Sequence, residues 1–180
     1  MVEEVVLVNK DGQPTGTALK SEVHNANTPL HQGFSAYVFN AKGEFLLTQR
    51  ALVKKVWPGV WTNTVCGHPG PGESTEAAVK RRLRQELGVT DISKLTLVDA
   101  DYRYKTPPFN GIIENEVCPI YAAITEAEPK PNPEEVEAYK WVEWDEVLKD
   151  ATQDPEPYSY WFKDQLKVLA TNPKFRPFLG

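Results

Sequence analysis

The stretch "TNTVCGHPGPGE", residues 62–73, sets a thiol and an imidazole, Cys66 and His68, two positions apart at the end of a strand-like run. A turn of glycines and prolines follows and closes on an acid, Glu73. The chain has only two other histidines, His24 and His31, and they flank "NANTPL", a segment too polar and proline-bearing for an ordinary strand. Farther on, "IIENEVCP" sets Glu114 and Glu116 two apart. Side chains alternate faces along a strand, so these two carboxylates would share one face. Side by side among Ile112, Ile113, Val117 and Ile120 they repel and lose hydration unless a cation or a proton is shared. Taken singly, each of these residues reads as a satisfied histidine or an exposed strand acid. Together, three imidazoles and two carboxylates suit a divalent metal such as Zn²⁺ or Mn²⁺.

A second constellation is cationic. Arg81, Arg82 and Arg84, with Lys80 beside them, lie just past the glycine-rich turn, and Lys20, Arg50, Lys54 and Lys55 lie upstream near the candidate metal ligands. A turn of this kind feeding a helix N-terminus can cradle phosphates, although composition alone also fits a solvated basic face. In a chain of net charge −5, cations gathered near one site favour a small polyanion such as a diphosphate. The same net charge and a pI of about 5.3 argue against a general nucleic-acid surface.

Several elements must hold these groups. "EEVVLVN" reads as a strand turned back by "KDGQPTG", and "GFSAYVFNAKGEFLLTQRA" as the clearest hairpin, with its turn at Asn40–Gly43. "KKVWPGVW" is a loop leading into a short strand, "TNTVC". "STEAAVKRRLRQELGV" is the best helix, with Ser74 as N-cap and Gly88 as its stop. Strands resume in "LTLVDADYRYKT" and in "IIENEVCPIYAAIT", taken as one strand. After the proline-rich loop "EPKPNPEE" come a strand, "VEAYKWVEW", a short helix from "DEVLKD", and the amphipathic helix "YSYWFKDQLKVLAT". Antiparallel strands broken by a few helices predict an α+β fold, layered α/β/α with a mixed, largely antiparallel sheet, in one domain spanning 1–180. No apolar run reaches the length of a membrane span, and "MVEEVVLVNKDG" lacks the basic start of a signal peptide. Free thiols at Cys66 and Cys118, a cytoplasmic location, and a monomer that engages neither membrane nor nucleic acid are the matching expectations.

Gly67–Val89, "GHPGPGESTEAAVKRRLRQELGV", resembles the Nudix box, G-x5-E-x7-R-E-U-x-E-E-x-G-U with U aliphatic. Gly67, Glu73, Arg81, Leu83, Glu86, Gly88 and Val89 match, whereas Arg82 and Gln85 stand where the box has glutamates. Nearly the whole chain is similar to a narrower family, the type I isopentenyl-diphosphate isomerases. The similarity runs through "TNTVCGHP", "ENEVCP", "HNANTPLHQGFSAYVFN" and "RALVKKVWPGVWTN". This resemblance implies that His24, His31, His68, Glu114 and Glu116 hold Zn²⁺ or Mn²⁺. It implies that Glu86 and the Cys66 carbonyl help hold a Mg²⁺ shared with the diphosphate. By the same resemblance Lys20, Arg50, Lys54 and Arg82 bind that diphosphate, Cys66 and Glu116 act on opposite faces of the substrate, and Tyr104 and Trp161 are their aromatic partners.

The implied reaction moves one double bond: a proton adds to the terminal alkene carbon and another leaves C2. An alkene is a very weak base, so the acid must be well placed and water excluded. Glu116, assisted by Tyr104, is assigned to protonation. Cys66 is assigned to C2, on the expectation that its surroundings favour the thiolate over the free pKa of about 8.5. Trp161 would shelter the cation-like state with its aromatic face, and Trp61 is a second candidate wall. Cys118 is read as structural. Two rivals remain at this level: a Nudix hydrolase of diphosphates, against which Arg82 and Gln85 argue, and a noncatalytic Nudix binding module, which would need neither Cys66 nor Glu116.

Overall fold

A computed structural model describes residues 3–179. The chain begins with the antiparallel pair β1 (Glu4–Val8) and β2 (Pro14–Leu19), followed by a single helical turn, α1 (Lys20–Val23). It continues through β3 (His31–Gln32), β4 (Phe34–Phe39), β5 (Phe45–Arg50), β6 (Trp61–Thr62) and β7 (Val65–Gly67) to the helix α2 (Thr75–Leu87). Then come β8 (Ser93–Asp99), β9 (Arg103–Lys105), β10 (Asn115–Val117), β11 (Ile120–Ile124) and β12 (Val136–Val142), and finally the helices α3 (Trp144–Gln153) and α4 (Tyr160–Leu169). One sheet has the order β2-β1-β3-β10-β9; the larger has β12-β5-β4-β11-β8, with β6 and β7 paired to β5 and β4. Among the strand pairs of the described residues only β3–β10 and β4–β11 are parallel, so the architecture is α+β with a mixed, largely antiparallel pairing pattern, as expected.

The layering follows from the period of two in β4. Phe34, Ala36 and Val38 face a core completed by Ala78, Val79, Leu83 and Leu87 of α2. Tyr37 and Phe39 face the opposite core, with Trp144 of α3, Phe162 and Leu166 of α4, and Phe175. Every residue of β4 is buried, because helices cover both faces of the strand. α2 starts and stops as its sequence predicts: Ser74 Oγ accepts from the Ala77 amide at 3.2 Å, and Gly88 adopts a left-handed φ of 64°.

Two expectations change. "IIENEVCPIYAAIT" is two strands in two sheets, parted at Cys118–Pro119, where the missing proline amide suits a break in a ladder. The chain parts in the same way at Gly33, between β3 and β4. The Gly33 amide donates to the Val117 carbonyl at 2.9 Å and the Ser35 amide to Pro119 at 3.1 Å, so the two crossings run side by side from one sheet to the other. Second, β4 and β5 meet only at Phe39 and Phe45 next to their turn. Beyond that point "TNTVC" enters between them, with β6 on β5 and β7 on β4. The Thr64 hydroxyl accepts from the Val38 amide at 2.9 Å and donates to the Leu46 carbonyl at 2.7 Å, replacing the bonds the parted strands no longer make to each other. The sequence offers no sign of the wedge, because each strand keeps its hairpin pattern.

Candidate active site

The wedge, the paired crossings and α2 surround one cavity of about 310 Å³, lined by Lys20, Arg50, Lys54, Arg82, Cys66, Glu86, Tyr104, Glu114, Glu116 and Trp161, along with His24 and His68. Every residue that the resemblance assigns to substrate or catalysis therefore borders the same space. His31 is fully buried just behind it.

One ligand atom from each of His24, His31, His68 and Glu116 falls within 4.8 Å of the others. The parallel register that sets Glu116 opposite His31 brings β10 to β3, and the turn after β7 delivers His68, whose Nε2 lies 3.0 Å from Glu116 Oε1. His31 Nδ1 lies 2.9 Å from the Pro29 carbonyl, which can only accept, so this nitrogen carries a hydrogen, and Nε2 is the atom that faces Glu116, 3.6 Å from its Oε1. His24 Nε2, His31 Nε2 and His68 Nδ1 are buried without a hydrogen-bond partner. Buried polar nitrogens are normally satisfied, and three imidazoles, each with an orphan nitrogen, clustered with one carboxylate make a donor set that fits a divalent cation. Gly33 belongs to this arrangement: a β-carbon there would lie 2.0 Å from Glu116 Oε2.

Charge follows geometry. Burial works to raise the Glu116 carboxyl, but His68 and His31 outweigh it and hold the group well below the ordinary carboxylate range. Burial, reinforced by the neighbouring charge of Glu116, pushes Glu114 upward. Burial also drives His24 down to about 4, aided by His68 and His31. Glu114 stands outside the four-residue cluster, and its Oε2 accepts from the Tyr104 hydroxyl at 2.7 Å. Tyr104 is thus hydrogen-bonded to Glu114, where the sequence suggested Glu116.

Cys66 departs further from expectation. Burial pushes its thiol up to about 12, so the folded chain holds a thiol and disfavours the thiolate. Its sulfur donates to Asn63 Oδ1 at 3.0 Å. Trp161 projects from the start of α4, donates its indole N–H to the same oxygen, and carries the Arg50 guanidinium 5.5 Å from its ring centroid. The second aromatic of the cavity wall is Tyr104, 6.2 Å from the Trp161 ring, while Trp57 packs edge-on to Trp161 at 5.6 Å, and against Phe109, without lining the cavity. Trp61, the wall suggested by sequence, instead carries Lys140 over its ring and does not line the cavity.

The cations line the same cavity. Arg82 Nε donates to Glu86 Oε1 at 2.7 Å, and its Nη2 to Glu135 Oε2 at 2.9 Å. Lys54 also pairs with Glu135, and Lys20 with Glu3 at 2.6 Å. Of the basic group on α2 only Arg82 reaches the cavity; Lys80 pairs with Glu76 on the surface. Arg81 grips Glu73 through Nε and Nη2 at 2.7 Å and the His68 carbonyl at 3.1 Å, while Glu73 accepts from the Gly70 amide. This staple fixes the glycine-rich turn on α2 and so fixes His68. Glu135 and Asn63 are site residues that sequence patterns do not single out: one sits in a proline-rich loop and the other between two threonines.

The NUDIX domain family model matches residues 29–162. A Citrobacter koseri protein named isopentenyl-diphosphate Delta-isomerase is 50% identical over 177 residues, covering 98% of this chain and 95% of its own. Proteins of the same name from Escherichia coli, at 49%, and Kocuria rhizophila, at 46%, each match 178 residues, 99% of this chain and at least 95% of their own. Among solved structures, a Deinococcus radiodurans protein superposes with a TM-score of 0.73 at 19% identity, covering 92% of this chain and 98% of its own. A Methanosarcina mazei MutT protein does so at 0.61 and 23% identity, over 78% and 92%. At these identities the two structures bear on the fold alone.

Proposed function

The chain belongs to the isopentenyl-diphosphate Delta-isomerase family of the Nudix fold, and we propose that its cavity performs the double-bond shift with Cys66 and Glu116 as the two proton-handling groups. The enzyme interconverts isopentenyl and dimethylallyl diphosphate. The observation that carries the assignment of residues is their convergence: a thiol, an acidic wall, an indole and a set of cations line one cavity of about 310 Å³.

The diphosphate binds to Lys20, Arg50, Lys54 and Arg82, which line the cavity. In the free protein Lys54 and Arg82 are held by Glu135 and Glu86, so the substrate's oxygens take up donors already gathered there. The five-carbon portion then lies along Trp161, whose face stabilises a desolvated cation by about 2 kcal/mol. In the forward direction the terminal carbon gains a proton from the Glu116 side and C2 loses one to Cys66. The folded chain holds Cys66 as a thiol and Glu116 as an anion, which are the states that begin the reverse direction. A forward turnover therefore starts once Cys66 has given up its proton and Glu116 has gained one.

A divalent cation on His24, His31, His68 and Glu116, which we take to be Zn²⁺ or Mn²⁺ with Glu114 adjacent, would supply fixed positive charge at the acidic wall. Mg²⁺ near Glu86 and the Cys66 carbonyl would accompany the diphosphate. We further take the chain to act as a single-domain monomer in the cytoplasm, a reading supported by its two free thiols and by the absence, among the described residues, of a helix able to cross a membrane.

Proton and phosphorus NMR of isopentenyl diphosphate with the enzyme and Mg²⁺ in D₂O tests the proposal. Deuterated dimethylallyl diphosphate with the diphosphate intact is expected from the native chain, and none from Cys66→Ala. Phosphate release without alkene movement would mean hydrolysis, and an equally active Cys66→Ala would remove the thiol from the mechanism.

A further inference from the structure

Asn63 is fully buried between β6 and β7, and all of its hydrogen-bonding capacity is used. Its Nδ2 donates to the Ala36 carbonyl at 3.2 Å and the Val65 carbonyl at 2.7 Å. Its Oδ1 accepts from Cys66 Sγ, from Trp161 Nε1 and from the Thr62 hydroxyl, each at 3.0 Å. The orientation of the amide is fixed by chemistry: carbonyls only accept and an indole N–H only donates, so turning the amide over would oppose like groups on both sides.

The two halves of this side chain do different things. Nδ2 ties the wedge to β4 and to itself, a backbone function. Oδ1 turns toward the cavity and joins two side chains that come from distant parts of the chain, the wedge and α4. α4 is itself seated on the wedge, through the Thr62–Ser159 hydroxyl contact at 2.9 Å and the Ser159 amide on the Trp61 carbonyl at 2.9 Å. These contacts secure the helix without Asn63, so the oxygen's bond to the indole adds an orientation to the ring of Trp161.

We propose that Asn63 is a positioning residue, whose single carbonyl oxygen sets the Cys66 sulfur in register with the Trp161 ring. This rests on the roles given above to those two residues. The sulfur must reach one hydrogen on C2 while the indole covers the cation-like centre next to it. A common acceptor makes the offset between the two a property of one atom, unaffected by small movements of α4 against the sheet. Releasing either donor would let the sulfur reach the other hydrogen on C2 and admit water to the cation. A misplacement of this size costs about 100-fold in rate.

The test uses Asn63→Ala, which removes both halves of the side chain, and Asn63→Asp, which keeps the acceptor and loses the Nδ2 donors. Turnover in D₂O is followed by NMR, reading which C2 hydrogen exchanges and whether a tertiary alcohol diphosphate forms by water capture. Asn63→Ala is expected to lower kcat about 100-fold with a smaller change in KM. The isopentenyl diphosphate recovered at equilibrium should carry deuterium at both C2 positions, and the variant's Trp161 indole N–H resonance should move upfield. Asn63→Asp, though less stable, should keep exchange at a single C2 position. Exchange at a single position in a folded Asn63→Ala variant would overturn the inference, leaving only the backbone function. So would exchange at both positions in Asn63→Asp, which decides the matter if Asn63→Ala does not fold. A wild-type chain that forms no dimethylallyl diphosphate would instead defeat the functional reading itself.

Discussion

The most demanding single position in the site is one with no side chain. Gly33 adopts no left-handed backbone angle, so its lack of a β-carbon serves space alone, and the space belongs to the Glu116 carboxylate. An alanine there would bring carbon to 2.0 Å from an oxygen, and the carboxylate would have to turn away from His31 and His68. Gly33→Ala should fold, because the amide bond to Val117 survives, yet lose metal on gel filtration and fall about 100-fold in turnover. Metal content and rate measured on the same sample check this. Full metal occupancy with native turnover would show that Glu116 has another place to go.

At the scale of elements, α2 positions the site through close approach. A β-carbon on Gly67 would meet Arg82 Cγ at 3.0 Å and the Phe34 ring at 3.1 Å, so the helix lies flush on β7 and β4 only because that carbon is missing. Gly67→Ala should push α2 outward and destabilise the fold by about 1–3 kcal/mol, the range typical of overpacking. It should also raise KM for the diphosphate substrate by moving Arg82. Denaturant melts and steady-state kinetics are the measurements; an unchanged midpoint would mean that the Phe34 ring yields. The glycine, acid and arginine of the box were legible in the sequence, and their spacing is explained by the Glu73–Arg81 staple. The two positions that depart from the box were equally legible, but only the packed helix turns Arg82 into the partner of both Glu86 and Glu135.

For the whole molecule, the four-residue cluster matters because its members come from separate places: the segment after α1, β3, the turn after β7, and β10. A cation bound there ties the first sheet to the turn that leads into α2, and binding to the folded state alone stabilises it by mass action. Chelation should lower Tm and speed amide exchange over residues 20–32 more than in α4, whose core contacts lie in the other layer. Exchange equally slow with and without metal would show that the segment carrying His24 is ordered by packing alone.

The sequence by itself determined the chemistry on offer: which residues could ligate, protonate or bind phosphate, the α2 helix with its caps, and the class of fold. These are properties of residue type and short-range spacing, set by side-chain chemistry and by periods of two and 3.6. Tertiary structure decided which groups meet and in what state. The entry of "TNTVC" between β4 and β5 and the paired crossings at Gly33 and Pro119 are matters of which backbone bonds which, and local pattern carries no record of them. Tyr104 bonding Glu114, the thiol form of Cys66 and the place of Asn63 all depend on burial and on partners distant in the chain. A side chain's charge and hydrogen bonds are set by its neighbours in space, and the fold alone supplies them.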